Sequence, residues 1–333
     1  MNQNSFLVIT SIAAPNAVLK SCADGTAQNQ VGYIVIGDTK SPAEFDLPGC
    51  DFWSIDRQLT MGFKLVKDLP TRHYARKNLG YLQAIKQGAE VIIETDDDNF
   101  PLEGFWHNRS RTAPAHVLEN TGWTNVYRYF TDLNIWPRGF ALEDLQKPVP
   151  TLTGLTEANC PIQQGLADEN PDVDAIYRLI LPLPFNFEKN DSVALGNGAW
   201  CPFNSQNTTW FKEAFALLYL PSYCSFRMTD IWRSYIAQRI GWTYGWNVLF
   251  HNATVYQERN EHNLMKDFED EISGYTNNFN ICKALAELDL KPGIENINQN
   301  LLTCYQTLTD AKYFGNGEVA LVRAWIEDIE TLK

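Results

Sequence analysis

The stretch YARKNLGYLQAIKQGAEVIIETDDDN, residues 74–99, joins a helix-compatible segment to a hydrophobic strand that runs out into three carboxylates. Tyr81, Leu82, Ala84 and Ile85 have helical spacing within residues 69–88, Gly88 supplies a C-terminal stop, and residues 91–93 read as a buried strand. Upstream, SFLVITSI and VGYIVIGD read as two further strands. The first hundred residues thus alternate strand and helix, the βαβ pattern of an α/β fold with a mostly parallel sheet flanked by helices. Ligands of open α/β sheets bind beyond the carboxyl ends of the strands. Here those ends carry Thr10 and Ser11, Asp38 and Thr39, and Asp96, Asp97 and Asp98.

Three successive carboxylates repel one another unless a cation or a set of donors compensates them. On an extended strand Asp96 and Asp98 share one face and Asp97 takes the other. Two carboxylates at a strand end suit a hard divalent cation, which leaves positions for water and a diphosphate and neutralises a departing nucleoside diphosphate. A solvated acidic turn accounts for the same triplet. Arg76 and Lys77 bring positive charge toward a phosphate, and Asn78 with Gly80 lets a ligand approach the backbone, although a basic pair near a helix start is commonly a surface feature.

The chain has 333 residues, a formal charge of −13, 44% hydrophobic and 13% aromatic residues, which excludes a disordered polyelectrolyte and leaves two domains or one large domain with insertions. No run of Lys and Arg offsets the acidity, so nucleic acid and anionic membranes are disfavoured partners. The N-terminus lacks a basic n-region and no stretch has the length of a membrane span. Seven cysteines without a CxxC pair point to a reducing cytoplasm, with neither a disulfide framework nor a zinc site. Residues 99–191, rich in Pro, Trp, Asn and Asp, read as a long irregular insertion over the site. Residues 209–220 and 229–239 read as helices, WNVLFHNATVYQ as a strand, and residues 281–333 as a C-terminal helical bundle.

The segments VITSIAAP, VIGDTK, YARKNLGYLQAIKQGAEVIIETDDDN, PFNSQNTTW, FRMTDIWRSYIAQR and VYQERNEHNLMKDFEDE, scattered from residue 6 to 272, together resemble the STELLO-type glycosyltransferases. The resemblance implies a GT-A-like nucleotide-diphospho-sugar transferase domain over residues 1–272, with the triplet as its metal-binding DxD motif, followed by a helical extension over 273–333. The plant members are Golgi membrane proteins, so localisation and partners are not carried over.

In such a fold Thr10, Ser11 and Asp38 are expected at the nucleobase, with an Asx turn at Asp38 as the structural alternative. Arg76, Asn78, Asp97 and Arg227 are expected beside the nucleotide. Asp96 and Asp98, with His262 or else His251, are expected to hold Mn2+ or Mg2+. Asp230, at a helix start, is expected to take the acceptor proton, giving inversion, and a helix cap is its structural alternative. Arg233 flanks it as a holder of phosphate or acceptor. The amides of Asn204, Gln206 and Asn207 suit sugar hydroxyls, and Trp106, Trp123, Trp136, Trp200 and Trp210 suit stacking on a glycan. The expected activity is transfer of a sugar from a nucleotide-diphosphate donor, UDP-linked first, to a glycan or other hydroxyl acceptor. A nucleotide-sugar mutase and a non-catalytic scaffold of a glycosyltransferase complex are the alternatives.

Overall fold

The computed structural model describes residues 4–258 and 263–332. Its N-terminal part runs β1 (Ser5–Thr10), α1 (Ala17–Asn29), β2 (Gly32–Ile36), β3 (Asp51–Trp53), α2 (Ile55–Gln58), α3 (Leu65–Asp68), α4 (Lys77–Lys86) and β4 (Val91–Thr95). Then follow β5 (Asn99–Pro101), β6 (Thr112–Leu118), β7 (Gly122–Trp123), β8 (Leu155–Asn159), β9 (Ile162–Asp168), α5 (Ala175–Ile180), β10 (Val193–Leu195), β11 (Ala199–Trp200) and β12 (Asn207–Phe211). The chain continues through α6 (Thr229–Thr243), β13 (Val248–Gln257), α7 (Leu264–Ala286), α8 (Ile297–Asp310) and α9 (Glu318–Thr331).

Period-two alternation places the first strands between two apolar layers. Leu7 and Ile9 of β1 and Val91 and Ile93 of β4 pack with Val18, Leu19, Cys22 and Ala23 of α1. Val8 and Ile92 face the other way, onto Leu79 and Leu82 of α4. Burial on both faces is why these strands are continuously apolar in sequence. Each fully buried Leu, Ile or Val contributes roughly 1.5–3 kcal/mol. Gly80 lets α4 lie close to the sheet: a Cβ there would fall 2.5 Å from Val8 Cγ1 and 2.9 Å from Ile36 Cγ1. Its role is therefore helix–sheet packing and not access for a ligand.

Strands β3, β2, β1 and β4 are parallel neighbours in that order. Beyond them β12 pairs antiparallel with both β4 and β9, and β9 pairs parallel with β13. The sheet continues through β10, β6 and β8. The result is a large central α/β sheet flanked by helices, the GT-A-like architecture expected.

Three local expectations change. Residues 99–191 are not an irregular insertion, because β6, β8 and β9 join the main sheet. Residues 209–220 are not an α-helix: β12 ends at Phe211 and a 3₁₀ segment covers Lys212–Leu218. The expected division at 272 falls inside the 23-residue α7. One apolar cluster runs on from Val8 and Trp210 to Leu301, Leu308 and Trp325 of α8 and α9.

Candidate functional site

The carboxyl ends of β1, β2 and β4 converge as the parallel order requires. Strand β4 stops at Thr95, and residues 96–98 form a turn closed by Asn99 N donating to Asp96 O at 3.4 Å. Strand alternation therefore does not govern the triplet, and each carboxylate has its own neighbour. Asp96 lies 3.1 Å from Lys77 Nζ, whose ammonium is buried and also donates to Thr95 O at 2.7 Å. Asp97 accepts from Ser11 Oγ at 2.5 Å, while its carbonyl accepts from Asn16 Nδ2 at 2.8 Å. Asp98 accepts from Gln257 Nε2 at 3.0 Å and Asn99 Nδ2 at 3.3 Å.

Two adjoining cavities open here. The smaller, about 240 Å³, lies between the ends of β1 and β2 and is lined by Ser11, Asp38, Lys40, Arg72, His73 and Arg76 among others. The larger, about 460 Å³, is walled by Asp96, Asp98, Asn204, Gln206, Arg227 and Asp230 among others. Thr10, Ile12, Tyr74, Asp97 and Phe226 line both, so the two form one trough with Asp97 at its waist. Ile12 and Phe226 are exposed there at 52% and 54%.

Asp230 is not a helix cap, since no side chain caps the start of α6. Arg138 donates to it from both terminal nitrogens at 3.1–3.2 Å, and Ser205 N donates at 3.2 Å. The same guanidinium holds Asp172 by two bonds of 2.8 Å. Burial pushes the Asp230 carboxyl up, but the Arg138 charge and hydrogen bonds outweigh it and hold the group below the usual carboxylate range. Asp96 shifts the opposite way: burial, with the charges of Asp98 and Asp230, pushes it up to about 7 against the pull of Lys77.

Other expected residues divide by location. Asp38 lines the smaller cavity, and its carboxylate accepts from Thr39 N at 2.6 Å and His73 N at 3.1 Å, neither of which is the bond to the second residue on that defines an Asx turn. Arg76 lines it too, with its guanidinium held by Gln58 and by Leu69 O. Arg227 lies in the larger cavity and pairs with Glu271 at 2.8 Å.

Asn78, Asn207 and Arg233 are not brought to the trough. Asn78 exchanges two hydrogen bonds of 2.8 Å with the Leu220 backbone. Asn207 donates to Leu166 O and Thr254 Oγ1, each at 2.8 Å. Arg233 is 1% exposed and forks onto Glu94 at 2.7 and 3.0 Å within the core, which removes it from any acceptor. His262 lies outside the described residues. His251 lines neither cavity: its Nδ1 meets Asn252 O at 3.0 Å, and burial together with nearby Arg109 lowers it to about 3. A cationic neighbour makes it a poor metal ligand. Trp123, Trp136, Trp200 and Trp210 are buried packing residues, and Trp106 is half-buried away from the trough.

The sequence reading missed Arg138, Asp172, Tyr74, Phe226 and Gln257. No local pattern marks Arg138, because its partners stand 34 and 92 positions away.

Among the described residues no group of three His, Cys, Asp or Glu closes on one point to hold a metal ion. Asp96 and Asp98 nevertheless offer two hard oxygen donors in one cavity, and a cation there would offset the burial and the neighbouring charges that disfavour the ionised form of Asp96. These are the residues that fit a divalent ion, with its remaining positions left to water or ligand oxygens.

Residues 227–333, from the Arg227 turn through α9, match the family described as STELLO glycosyltransferases. The chain is 28% identical over 317 residues to the probable glycosyltransferase STELLO2 of Arabidopsis thaliana, covering 89% of this chain and 41% of that protein. It is 29% identical over 245 residues to the probable glycosyltransferase STELLO1 of the same plant, covering 67% of this chain and 32% of that protein. The chain thus spans less than half the length of either relative. Among the described residues no helix is long and apolar enough to cross a membrane. Arg227 and Asp230 of the larger cavity thus lie in the stretch that matches this family, and the chain is similar to STELLO-type glycosyltransferases.

Proposed function

We propose that this chain is a glycosyltransferase that takes a sugar from a nucleotide-diphosphate donor, UDP-linked first, and passes it to a hydroxyl of a glycan or similar acceptor. The observation that carries the reading is the trough: a smaller cavity at the β1 and β2 ends, sized for a nucleoside, meets a larger polar cavity at the acidic triplet. Thr10, Ser11 and Asp38 would contact the base, with Arg76 and Asp97 beside the nucleotide. Arg227, Asn204 and Gln206 would face the transferred sugar or acceptor. Asp96 and Asp98 would hold Mn2+ or Mg2+, which when bound supplies Lewis-acid stabilisation to the departing diphosphate.

In this reading Asp230 takes the acceptor proton and the sugar is transferred with inversion. A carboxylate held low by Arg138 is a weak base, since general-base catalysis favours a pKa near the working pH. The shared guanidinium offers a remedy: an acceptor hydroxyl displaces one Arg138 bond from Asp230 while Asp172 keeps the arginine in place. The full complement of donors already on Asp230 also favours a second reading, a protein that keeps the fold and serves as a scaffold for other glycosyltransferases. The seven free thiols support a reducing, cytoplasmic setting.

Calorimetry with UDP, GDP and CDP, with and without Mn2+, tests the donor site. The expected result is metal-dependent binding of one nucleotide, weakened at least about tenfold, or 1.4 kcal/mol, in Asp96→Ala/Asp98→Ala. A folded wild type that binds none of them overturns the transferase reading and leaves the scaffold.

A further inference from the structure

A second polar cavity, of about 390 Å³, lies at the opposite end of the parallel strands, where Ser5 opens β1 and Val91 opens β4. It shares no lining residue with the trough. Arg109 is its charged group. Its guanidinium donates to Thr209 Oγ1 at 2.8 Å and Thr254 Oγ1 at 3.5 Å, and no carboxylate pairs with it among the described residues. Burial alone pulls its pKa down to about 10, as expected of a cation without a compensating anion. In a chain of charge −13 an unpaired arginine at a cavity wall is a specific arrangement and not a consequence of excess base.

The remaining lining suits hydroxyl groups and an apolar ring face. The exposed amides of Gln28, Asn29 and Asn108 stand around the cavity, offering both donors and acceptors. Trp106 is half-buried, set edge-on to Phe105 at 4.9 Å, and packed so closely on α1 that a Cβ at Gly25 would fall 2.1 Å from its ring. That packing fixes the indole before any ligand arrives.

We infer that this cavity is a subsite for an acidic sugar, a hexuronate unit whose carboxylate meets Arg109, whose hydroxyls meet the amides, and whose apolar face lies on Trp106. The site stands independently of the donor trough, so loss of nucleotide binding leaves it untouched.

Calorimetry and saturation-transfer NMR on the full chain test it with methyl glucuronoside, neutral methyl glucoside and inorganic phosphate as probes. The glucuronoside is expected to bind at least about tenfold more tightly than the glucoside. Arg109→Gln removes that preference. Asn108→Asp adds a negative charge at an exposed lining residue, so it weakens glucuronoside binding several-fold at an unchanged thermal midpoint and serves even if Arg109→Gln does not fold. Equal affinity for the two glycosides, a preference that survives both substitutions, or inorganic phosphate binding as tightly as the glucuronoside would each overturn the assignment.

Discussion

Arg138 and Asp230 meet across 92 positions of sequence, with both terminal nitrogens of the guanidinium at 3.1–3.2 Å from the carboxylate, while the same group also donates to Asp172 and to Arg227 O. The three side chains tie the middle of the chain, the segment after β9 and the start of α6 into one wall of the larger cavity. Removing the cation leaves two largely buried carboxylates facing each other. Arg138→Met is therefore expected to cost about 3–5 kcal/mol in urea unfolding. Arg138→Lys, which keeps the charge but loses the fork, should fall between it and the wild type. Asp230→Asn is expected to keep nucleotide affinity and abolish transfer, and NMR of the wild-type product should show an inverted anomeric centre.

Gly80 gives a stability test independent of the site. A methyl group placed 2.5 Å from Val8 Cγ1 must push α4 away from β1, so Gly80→Ala is expected to destabilise by roughly 1–3 kcal/mol despite alanine's better helix propensity. Chemical denaturation reads the loss directly. An unchanged midpoint would mean that the helix moves freely over the sheet.

His251 sets a pH dependence. Its folded pKa, lowered to about 3 by burial and by Arg109, lies below the ordinary histidine value of 6.5. Between those values the unfolded chain binds a proton that the folded one does not, so stability rises with pH across the window and falls as pH drops. The slope from this group is at most about 1.4 kcal/mol per pH unit. His251→Gln should flatten the fall between pH 6.5 and 4 in a denaturant series, and an unaltered slope would assign the acid sensitivity to other groups.

The parallel half of the fold was legible because burial on both faces leaves β1, β2 and β4 as uninterrupted apolar runs. Strand β9 was hidden by its composition. Gln163 and Gln164 are buried with their amides bonded to Ser110 O and to the Asn207 backbone, so a polar stretch sits inside the sheet at no cost in unmet hydrogen bonds. Strand β12 was read as helix because it is buried between β4 and β9 and runs directly into the apolar 3₁₀ segment, which erases any period of two. Of the site, the triplet and the strand ends were readable as local chemistry. Arg233 was misplaced because helix position alone does not say whether an arginine meets a ligand or a buried Glu94. Arg138 and Asp172 carry no local signature, since what defines them is a meeting of distant segments.

The antiparallel register of β12 against β4 sets Asn207 opposite Thr95, one residue before the acidic triplet and directly after the Asn204 to Gln206 wall. Both walls of the larger cavity are thereby indexed by one hydrogen-bond ladder. The loop before β12 can change its side chains, and with them what the cavity admits, while the ladder keeps the carboxylates in place. A slip of one rung would instead turn every β12 side chain to the opposite face. The residues before β12 and the acidic turn are thus held in one register, with the ladder as the part that must not move.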